Sequence, residues 1–156
     1  MNIRRAKIGD LARIDALLEQ VLTVHHRARP DLFKGNCRKY TDEQLTEIIQ
    51  DDSRPIFVAA DEADVVMGYA FCVIQQHLND NILTDIRTLY IDDLCVDETL
   101  RGKHIGRTLY EYVVSYAREN GFYNVTLNVW EGNDSAKRFY EACGLRVQKT
   151  GMELVL

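Results

Sequence analysis

The chain has 156 residues, a length typical of one domain, and it is 46% hydrophobic and 28% charged, as globular proteins are. Its net charge of -5 argues against general binding to nucleic acid, which requires a basic surface. No apolar run is long enough to cross a membrane, and the first residues lack the apolar core of a signal peptide. We expect a single cytoplasmic domain over residues 1–156, with no nucleic-acid or membrane partner.

Hydrophobic spacing predicts one strand and two helices at the start of the chain. The strand is expected at residues 2–6. In "DLARIDALLEQVL" the apolar residues recur three and four positions apart, as they do on one face of a helix. In "TDEQLTEIIQ" the spacing of Thr41 and Gln44 is that of a capping box, which predicts the start of a second helix.

The rest of the chain alternates between strand-like and helix-like segments. "IFVAA" and "VVMGYAFCVI" are rich in β-branched and aromatic residues, and "DEAD" between them suits a hairpin connection. The further predicted elements are a strand at about 84–96, a helix at 104–120, a strand in "NVTLNVW", a short helix in "NDSAKRFYEACG" and a final strand within 145–156. Short loops predict antiparallel neighbours, whereas the strands flanking the 104–120 helix should be parallel. The expected fold is α/β: a mixed, mostly antiparallel sheet with helices on both faces.

The cysteines predict neither a metal site nor a disulfide framework, because their spacing matches neither pattern. Two of them lie in apolar surroundings, which favours packing over reactivity. We expect four reduced thiols, at Cys37, Cys72, Cys95 and Cys143.

A basic turn joins the strand at 84–96 to the helix that follows. It contains Arg101, Gly102, Lys103, His104 and Gly106. The first amides of a helix are unpaired, the helix dipole favours anions, and glycine permits a ligand to approach the backbone closely. The turn therefore suits a pyrophosphate, although a flexible turn without a ligand explains the same residues. The glycine spacing fits neither the nucleotide P-loop nor the dinucleotide fingerprint.

A second segment, residues 127–145, places two aromatic residues on a short helix. Phe139 and Tyr140 are adjacent, so one can enter the core while the other faces a cleft. Taken alone, Tyr140 is better explained as a core aromatic residue whose hydroxyl is satisfied.

Together the two segments resemble the GCN5-related N-acetyltransferase (GNAT) superfamily. Its cofactor motif, Arg/Gln-x-x-Gly-x-Gly/Ala after a Leu-x-Val strand, corresponds to "RGKHIG" after Leu94 and Val96. Its second motif, Asn-x-x-Ala-x-x-Phe-Tyr-x-x-x-Gly-Phe, corresponds to residues 133–145 with leucine in the last position. The chain departs from the pattern at His104, where the family usually has glycine. A helical conformation there accommodates histidine, whereas a positive φ would strain it.

The resemblance implies the GNAT fold, in which the parallel strands splay apart at the cofactor, with acetyl-CoA as donor and an amine as acceptor. It implies that main-chain amides hold the pyrophosphate, that Val96 bonds the pantetheine arm and that an amide near Leu94 meets the thioester oxygen. Tyr140 matches the family tyrosine that protonates the leaving thiolate. The residues implied to contact the cofactor are Leu94, Cys95, Val96, Arg101, Gly102, Lys103, His104, Ile105, Gly106, Arg107, Asn133 and Ala136.

Asp92 and Asp93, in "YIDDLCV", are candidates for the base that deprotonates the acceptor amine. On a regular strand they face opposite sides, so only one would face the cleft. The segment is similar to the "LEDFFV"-type segment of spermidine/spermine acetyltransferases, which has an acidic residue at the position of Asp92. We therefore favour Asp92, acting directly or through water, over Asp93. Equally, both acids neutralise the basic turn or bind a cationic acceptor.

The acceptor is the least defined part of the prediction. In the family the first helices and their loop shape its pocket, which here would contain His25, His26 and Phe33, with Trp130 from the later segment. Adjacent histidines are, however, more often a solvated helix face than a ligand pair. A small amine such as a polyamine and a peptide amine both remain open, as does a non-catalytic acyl-CoA sensor. A homodimer is suggested only by analogy with the family.

Overall fold

A computed structural model describes residues 1–156. The strands are β1 (Asn2–Arg5), β2 (Ile56–Ala60), β3 (Val66–Gln75), β4 (Thr88–Val96) and β5 (Asn124–Leu127). The helices are α1 (Leu11–Ala28), α2 (Asp42–Gln50), α3 (Ile105–Glu119) and α4 (Asp134–Ala142). Short 3-10 turns at Ile8–Asp10 and Glu98–Leu100 lie before α1 and after β4.

The strands form one sheet in the order β1-β2-β3-β4-β5. Neighbouring strands are antiparallel except β4 and β5, which are parallel and joined through α3. The predicted mixed, mostly antiparallel sheet of an α/β fold is confirmed. None of the helices combines the length and the apolar character that a membrane span requires.

Helices cover both faces of the sheet and give the protein two apolar clusters. On one face, Leu17 of α1 and Ile48 of α2 pack with Tyr69 of β3. On the other face, Leu109 and Val113 of α3 are the centre of the second cluster, against which α4 packs from the side. Because the sheet lies between two helical layers, β2 is buried at every position.

The start of α2 shows why the local sequence specifies its helix. The Gln44 amide donates to Thr41 Oγ1 at 3.2 Å, and the Thr41 amide donates to Gln44 Oε1 at 2.9 Å. These two bonds satisfy amides that have no partner inside the helix. The predicted capping box is confirmed, and it fixes the end of the long loop that follows α1.

A β-bulge in β4 decides which of its side chains face α1 and α2. Phe71 lies opposite Asp93 and Cys72 lies opposite Ile91, so Asp92 is an extra residue without a partner in β3. An inserted residue reverses the alternation of a strand. Ile91 therefore belongs to the α3 cluster, whereas Asp93, two positions later, lies on the α1 side.

The final predicted strand is wrong, because residues 145–156 contain no strand. These residues are largely exposed, including Met152 at 95% and Val155 at 75%. The apolar alternation is interrupted by Lys149, Thr150 and Gly151, and a glycine inside a short strand weakens it. The segment leaves the edge of β5 opposite β4 without a neighbouring strand.

Candidate active site

The turn before α3 adopts a backbone conformation that favours glycine at two positions. Gly102 has a φ of 80° and His104 a φ of 60°. Glycine enters this left-handed region freely, but a residue with a Cβ does so at a cost of about 1 kcal/mol. Of the two conformations open to His104, the structure therefore shows the strained one.

The main-chain amides of this turn are free to bind a ligand. The first amide that pairs with a main-chain carbonyl is that of Thr108, which donates to the His104 carbonyl at 3.0 Å. No acidic residue occupies the first turn of α3, and Arg101 and Lys103 are exposed beside it. Unpaired amides, a helix dipole and two cations together form a site whose chemistry fits the diphosphate of coenzyme A.

The parallel strands separate halfway along β4. They are paired only over Thr88–Ile91 of β4 and Asn124–Leu127 of β5, so positions 92–96 of β4 have no strand on that side. Every second residue of a strand directs its amide and carbonyl toward such an edge. The gap therefore exposes main-chain groups that can pair with an extended ligand containing amides. The pantetheine arm of coenzyme A is such a ligand.

Gly106 packs where α3 meets the end of β4. A Cβ on this residue would lie 3.4 Å from Val96 Cγ2 and 3.9 Å from Leu94 Cδ2 and Phe139 Cζ. A single methyl group thus fits at ordinary contact distance, whereas a larger side chain would have to displace the strand, the helix or Phe139. The absence of a side chain keeps the first turn of α3 against β4 at the mouth of the gap.

Tyr140 lies on α4 in a cluster of aromatic rings. Its ring centroid is 5.1 Å from that of Phe139 and 6.3 Å from that of Tyr110. Burial, followed by the negative charge of Asp93, raises the pKa of Tyr140 above its ordinary value. The phenol therefore stays protonated at neutral pH and is able to donate a hydrogen bond or a proton.

Asp93 is half-buried and accepts a hydrogen bond from a core tyrosine. The Tyr69 hydroxyl donates to its Oδ2 at 2.8 Å. Burial raises the pKa of Asp93, and this effect outweighs the lowering by Lys39 and by the Tyr69 bond. A carboxyl with a raised pKa is better suited to accept and release a proton near neutral pH than an ordinary aspartate.

Asp92 and Asp93 do not face opposite sides of the sheet, contrary to the expectation for a regular strand. Asp92 is exposed, and its Oδ2 lies 3.2 Å from Lys39 Nζ on the α1 side. The bulge explains the difference, because its extra residue places both carboxyls on one face. Of the two, Asp93 is the less exposed, and burial raises its pKa.

Three of the predicted acceptor residues come together in a cluster of aromatic rings. The His25 and Phe33 ring centroids are 5.0 Å apart, and Phe33 meets Trp130 edge to face at 5.5 Å. They join α1, the loop after it and the loop before α4. His25 also lowers the pKa of Asp93 through its charge, so one end of this aromatic cluster is near that half-buried acid.

His26 and Asn133 hold loops rather than face the cleft. The His26 ring pairs with the Phe33 carbonyl at 2.7 Å through Nδ1. The Ala136 amide donates to Asn133 Oδ1 at 3.3 Å, which caps α4. This bond fixes the local turn at the start of α4.

Cys95 faces away from the gap between the parallel strands. Its Sγ is buried and points to the Leu17 carbonyl at 3.8 Å, so only its main chain is available to a ligand in the gap. Burial raises the pKa of the Cys95 thiol to about 12, which makes it unreactive. No group of three or more His, Cys, Asp or Glu side chains is arranged to hold a metal ion.

Asp97, at the end of β4, anchors the turn that leads to α3. Its carboxylate pairs with Arg13 of α1, and its Oδ1 accepts from the Thr99 amide at 2.9 Å. The Arg13 bond, followed by those from Thr99, lowers the pKa of Asp97 to about 2. Sequence spacing gave no sign of this contact, because Arg13 and Asp97 are distant in the chain.

Lys39 is a further residue of this region that no sequence motif indicates. It lies in the loop between α1 and α2, next to Tyr40, in a stretch with no motif. Only the folded chain brings its ammonium to Asp92. The bulge in β4 turns both Asp92 and Asp93 toward the α1 side, and it thereby explains why a lysine from this loop pairs with them.

A sequence model of the acetyltransferase (GNAT) family matches residues 19–145. The chain belongs to this family. The match includes the basic turn, the splayed strands and Tyr140, and this GNAT protein is therefore an acetyl-CoA-dependent acetyltransferase.

Curated relatives of this GNAT chain act on different amines. The peptidyl-lysine N-acetyltransferase YjaB of Escherichia coli is 32% identical over 147 residues, which covers 94% of this chain and 83% of that protein. Glucosamine 6-phosphate N-acetyltransferase of Arabidopsis thaliana is 36% identical over 56 residues, or 36% of the length of each protein.

Solved structures share the fold over the whole GNAT chain. A tetramutant of the BH1408 protein from Bacillus halodurans superposes with a TM-score of 0.94 at 34% identity and covers 100% of both chains. An aminoglycoside acetyltransferase from an uncultured soil sample, in complex with sisomicin, gives 0.76 at 20% identity, covering 99% of this chain and 95% of that one. The second likeness concerns the fold alone.

Proposed function

We propose that this protein transfers the acetyl group of acetyl-CoA to a primary amine by direct attack of the amine on the thioester. The observation that carries the proposal is the proximity of three features: the open edge of β4, the phenol of Tyr140 and the half-buried carboxyl of Asp93. The first suits an extended thioester arm, the second a leaving thiolate and the third an amine that must lose a proton.

On the donor side, the free amides of residues 102–107 would hold the diphosphate, and Arg101 and Lys103 would add positive charge. Main-chain groups of Leu94 and Val96 would orient the thioester arm in the gap, with an amide near Leu94 donating to the thioester oxygen. Tyr140 would give its proton to the departing sulfur. Acetyl-CoA, when bound, supplies the activated acetyl group.

On the acceptor side, Asp93 would accept the proton of the ammonium, directly or through water. Its raised pKa suits that task, and the Tyr69 hydroxyl fixes its orientation. Asp92 would attract a cationic substrate to the cleft, since it is exposed and close to Asp93. His25, Phe33 and Trp130 would form an apolar wall for the part of the acceptor beyond its amine.

The acceptor class that fits this cleft is a primary ammonium on a flexible chain, either a small molecule or a peptidyl lysine. Two neighbouring carboxyls and aromatic faces recognise an ammonium. The curated E. coli relative, which is named for peptidyl-lysine, supports the same chemistry of attack.

A non-catalytic acyl-CoA sensor is the alternative function. His104 favours it, because a strained residue stands at the diphosphate turn where the family usually has glycine. Thiol release separates the two functions. The protein is mixed with acetyl-CoA and a polyamine, an aminosugar or a lysine peptide, and free coenzyme A is followed with a thiol reagent.

We expect amine-dependent thiol release with at least one primary amine, and none with the matched tertiary amine, which cannot be acetylated stably. Tight binding of coenzyme A without release on every amine would establish the sensor and overturn the transferase. Absence of both binding and release would overturn both functions.

A further inference from the structure

Lys39 occupies a site built for an ammonium group. Its Nζ is 3.2 Å from Asp92 Oδ2, 5.4 Å from the Tyr40 ring centroid and 6.0 Å from the Phe71 ring centroid. The two rings are stacked, with centroids 6.1 Å apart and planes 18° from parallel. A carboxylate and aromatic faces around one cation form an ammonium box, here Asp92, Asp93, Tyr40 and Phe71.

The ammonium box adjoins the gap where the donor is expected. Asp93 lies in the part of β4 that is not paired with β5, and Phe71 is its partner in the neighbouring strand β3. Burial alone would lower the pKa of Lys39, but the negative charges of Asp93 and Asp92 outweigh it and raise that pKa. The charge of Asp93 also raises the pKa of Tyr140, so the lysine and the phenol both lie within reach of the charge of a single carboxyl.

The other lysines lack these surroundings. Lys7 pairs with Asp64 at the far end of the sheet, where β1 lies. The side chain of Lys39 is 29% exposed, against 57% for Lys7. The remaining lysines, at positions 34, 103, 137 and 149, are all exposed. Among the lysines, only Lys39 is held where an acceptor amine would be.

We infer that Lys39 is a self-acetylation site: the enzyme transfers one acetyl group to its own Lys39 in cis, an inference that rests on the proposed function. The Lys39 ammonium gives a proton to Asp92 and thence to solvent. Its nitrogen then attacks the thioester carbonyl and the new C–N bond forms. The nitrogen loses its second proton to solvent through Asp92, the C–S bond breaks and the thiolate takes a proton from Tyr140. Tyr140 regains a proton from solvent.

The step balances and has a definite product. A lysine ammonium and acetyl-CoA become an acetamide, coenzyme A with a free thiol and one proton in solution. The acetamide is neutral, so Asp92 loses its cation and the ammonium box becomes free for an external amine. The reaction occurs once per chain, in contrast to turnover on an added acceptor.

The test uses the full-length protein and acetyl-CoA with a deuterated acetyl group, so that acetylation acquired during expression is distinguishable by mass. Peptides are quantified over time at several protein concentrations. We expect Lys39 to acquire the label at least about tenfold faster than any other lysine, because it is held in the cleft. The rate constant should not change with protein concentration, as a reaction in cis requires.

Two variants serve as controls. Lys39→Arg keeps the positive charge and should lose the label at residue 39 alone. Tyr140→Phe should slow the labelling of Lys39 while slow, non-enzymatic labelling of Lys7 continues unchanged. Loss of slow labelling at both lysines in the second variant would contradict the role given to the cleft.

The outcomes separate this inference from the proposed function. Thiol release on added amines with Lys39 labelled no faster than Lys7 would overturn self-acetylation and leave the transferase intact. A first-order rate constant that increases in proportion to protein concentration would overturn the transfer in cis. No label at Lys39 and no thiol release on any amine would overturn both.

Discussion

The two sides of the cleft are built from different parts of the polypeptide. The donor side consists mainly of main-chain groups: the amides before Thr108 and the open edge of β4. The acceptor side consists of side chains that come from distant positions, such as Lys39 with Asp92 and Tyr69 with Asp93. The donor side is therefore insensitive to most side-chain changes, whereas the acceptor side can be altered one residue at a time.

The largest loss of coenzyme A affinity is expected from a side chain that fills the space beside Gly106. Gly106→Trp should weaken coenzyme A binding by about 10³-fold, roughly 4 kcal/mol, because the indole would meet Val96, Leu94 and Phe139. Titration calorimetry measures the affinity, and circular dichroism shows whether the variant is folded. Gly9→Trp is the control, since a Cβ there meets nothing within 4 Å. Unaltered affinity in a folded Gly106→Trp would remove the diphosphate turn from the binding site.

Tyr140 is the one side chain on which the donor side should depend chemically. Tyr140→Phe should lower kcat about 10²-fold with little change in coenzyme A affinity, because only the proton donor is lost. Steady-state kinetics and calorimetry on the same preparation separate the two quantities. Tyr110→Phe, in the same ring cluster, is the matched control. Equal kcat values for the two variants would exclude Tyr140 as the proton donor.

The Arg13–Asp97 pair joins the two sides, and its loss should affect stability. Asp97→Asn should lower the free energy of unfolding by about 2 kcal/mol at neutral pH, as the lowered pKa of about 2 implies. Because the folded pKa lies below the unfolded one, the contribution is complete above about pH 4 and is lost as the pH falls toward 2. Urea denaturation across this range should show the wild type approaching the variant. If the difference in free energy of unfolding between the two proteins did not change with pH, the carboxylate of Asp97 would not be its source. Glu98→Gln, at the exposed neighbouring residue, is the control.

The two acids of β4 should differ in effect. Asp93→Asn should lower kcat about tenfold and remove the acidic limb of the pH profile, because the carboxyl with the raised pKa is gone. Asp92→Asn should mainly raise KM for a cationic amine. Kinetics of both variants against pH provide the measurement. A larger loss of kcat in Asp92→Asn, with the limb retained in Asp93→Asn, would restore Asp92 as the base.

The smallest expected effect concerns the strained residue of the donor turn. His104→Gly should raise the free energy of unfolding by up to about 1 kcal/mol, because glycine relieves the positive φ. Asn79→Gly is the matched control: its φ of 57° is similar, but asparagine tolerates that region and little gain is expected. Coenzyme A affinity should stay within about threefold of the wild type, since the amide of residue 104 remains. A lower free energy of unfolding in His104→Gly would show that contacts of the imidazole ring outweigh the backbone strain.

The contrast between the two sides also explains what the sequence revealed. Caps, glycines and apolar periodicity are local, so the capping box at Thr41, the turn before α3 and the short helix bearing Tyr140 could be predicted. The β-bulge could not, because an inserted residue in β4 is defined only by its partner strand. The placement of the Asp92 and Asp93 carboxyls on one face of the sheet follows from that single feature.

Side-chain pairs between residues distant in the chain could not be predicted from the sequence either. Lys39 and Asp92 are 53 positions apart, and Arg13 and Asp97 are 84 apart. Nothing in the composition near Lys39 indicates an ammonium box. The final strand was predicted from apolar residues alone, and the exposed segment at 145–156 shows that such residues need a partner before they form a strand.

The short ladder between β4 and β5 has a mechanical consequence. Only four residue pairs hold β5 to the sheet, yet β5 leads directly to the loop with Trp130 and to α4 with Tyr140. Asp93 belongs to the other, firmly paired body of the sheet. A small rotation at the ladder would move the indole and the phenol as one unit relative to the carboxyl, so that closing on an acceptor and aligning the leaving group become a single hinge movement.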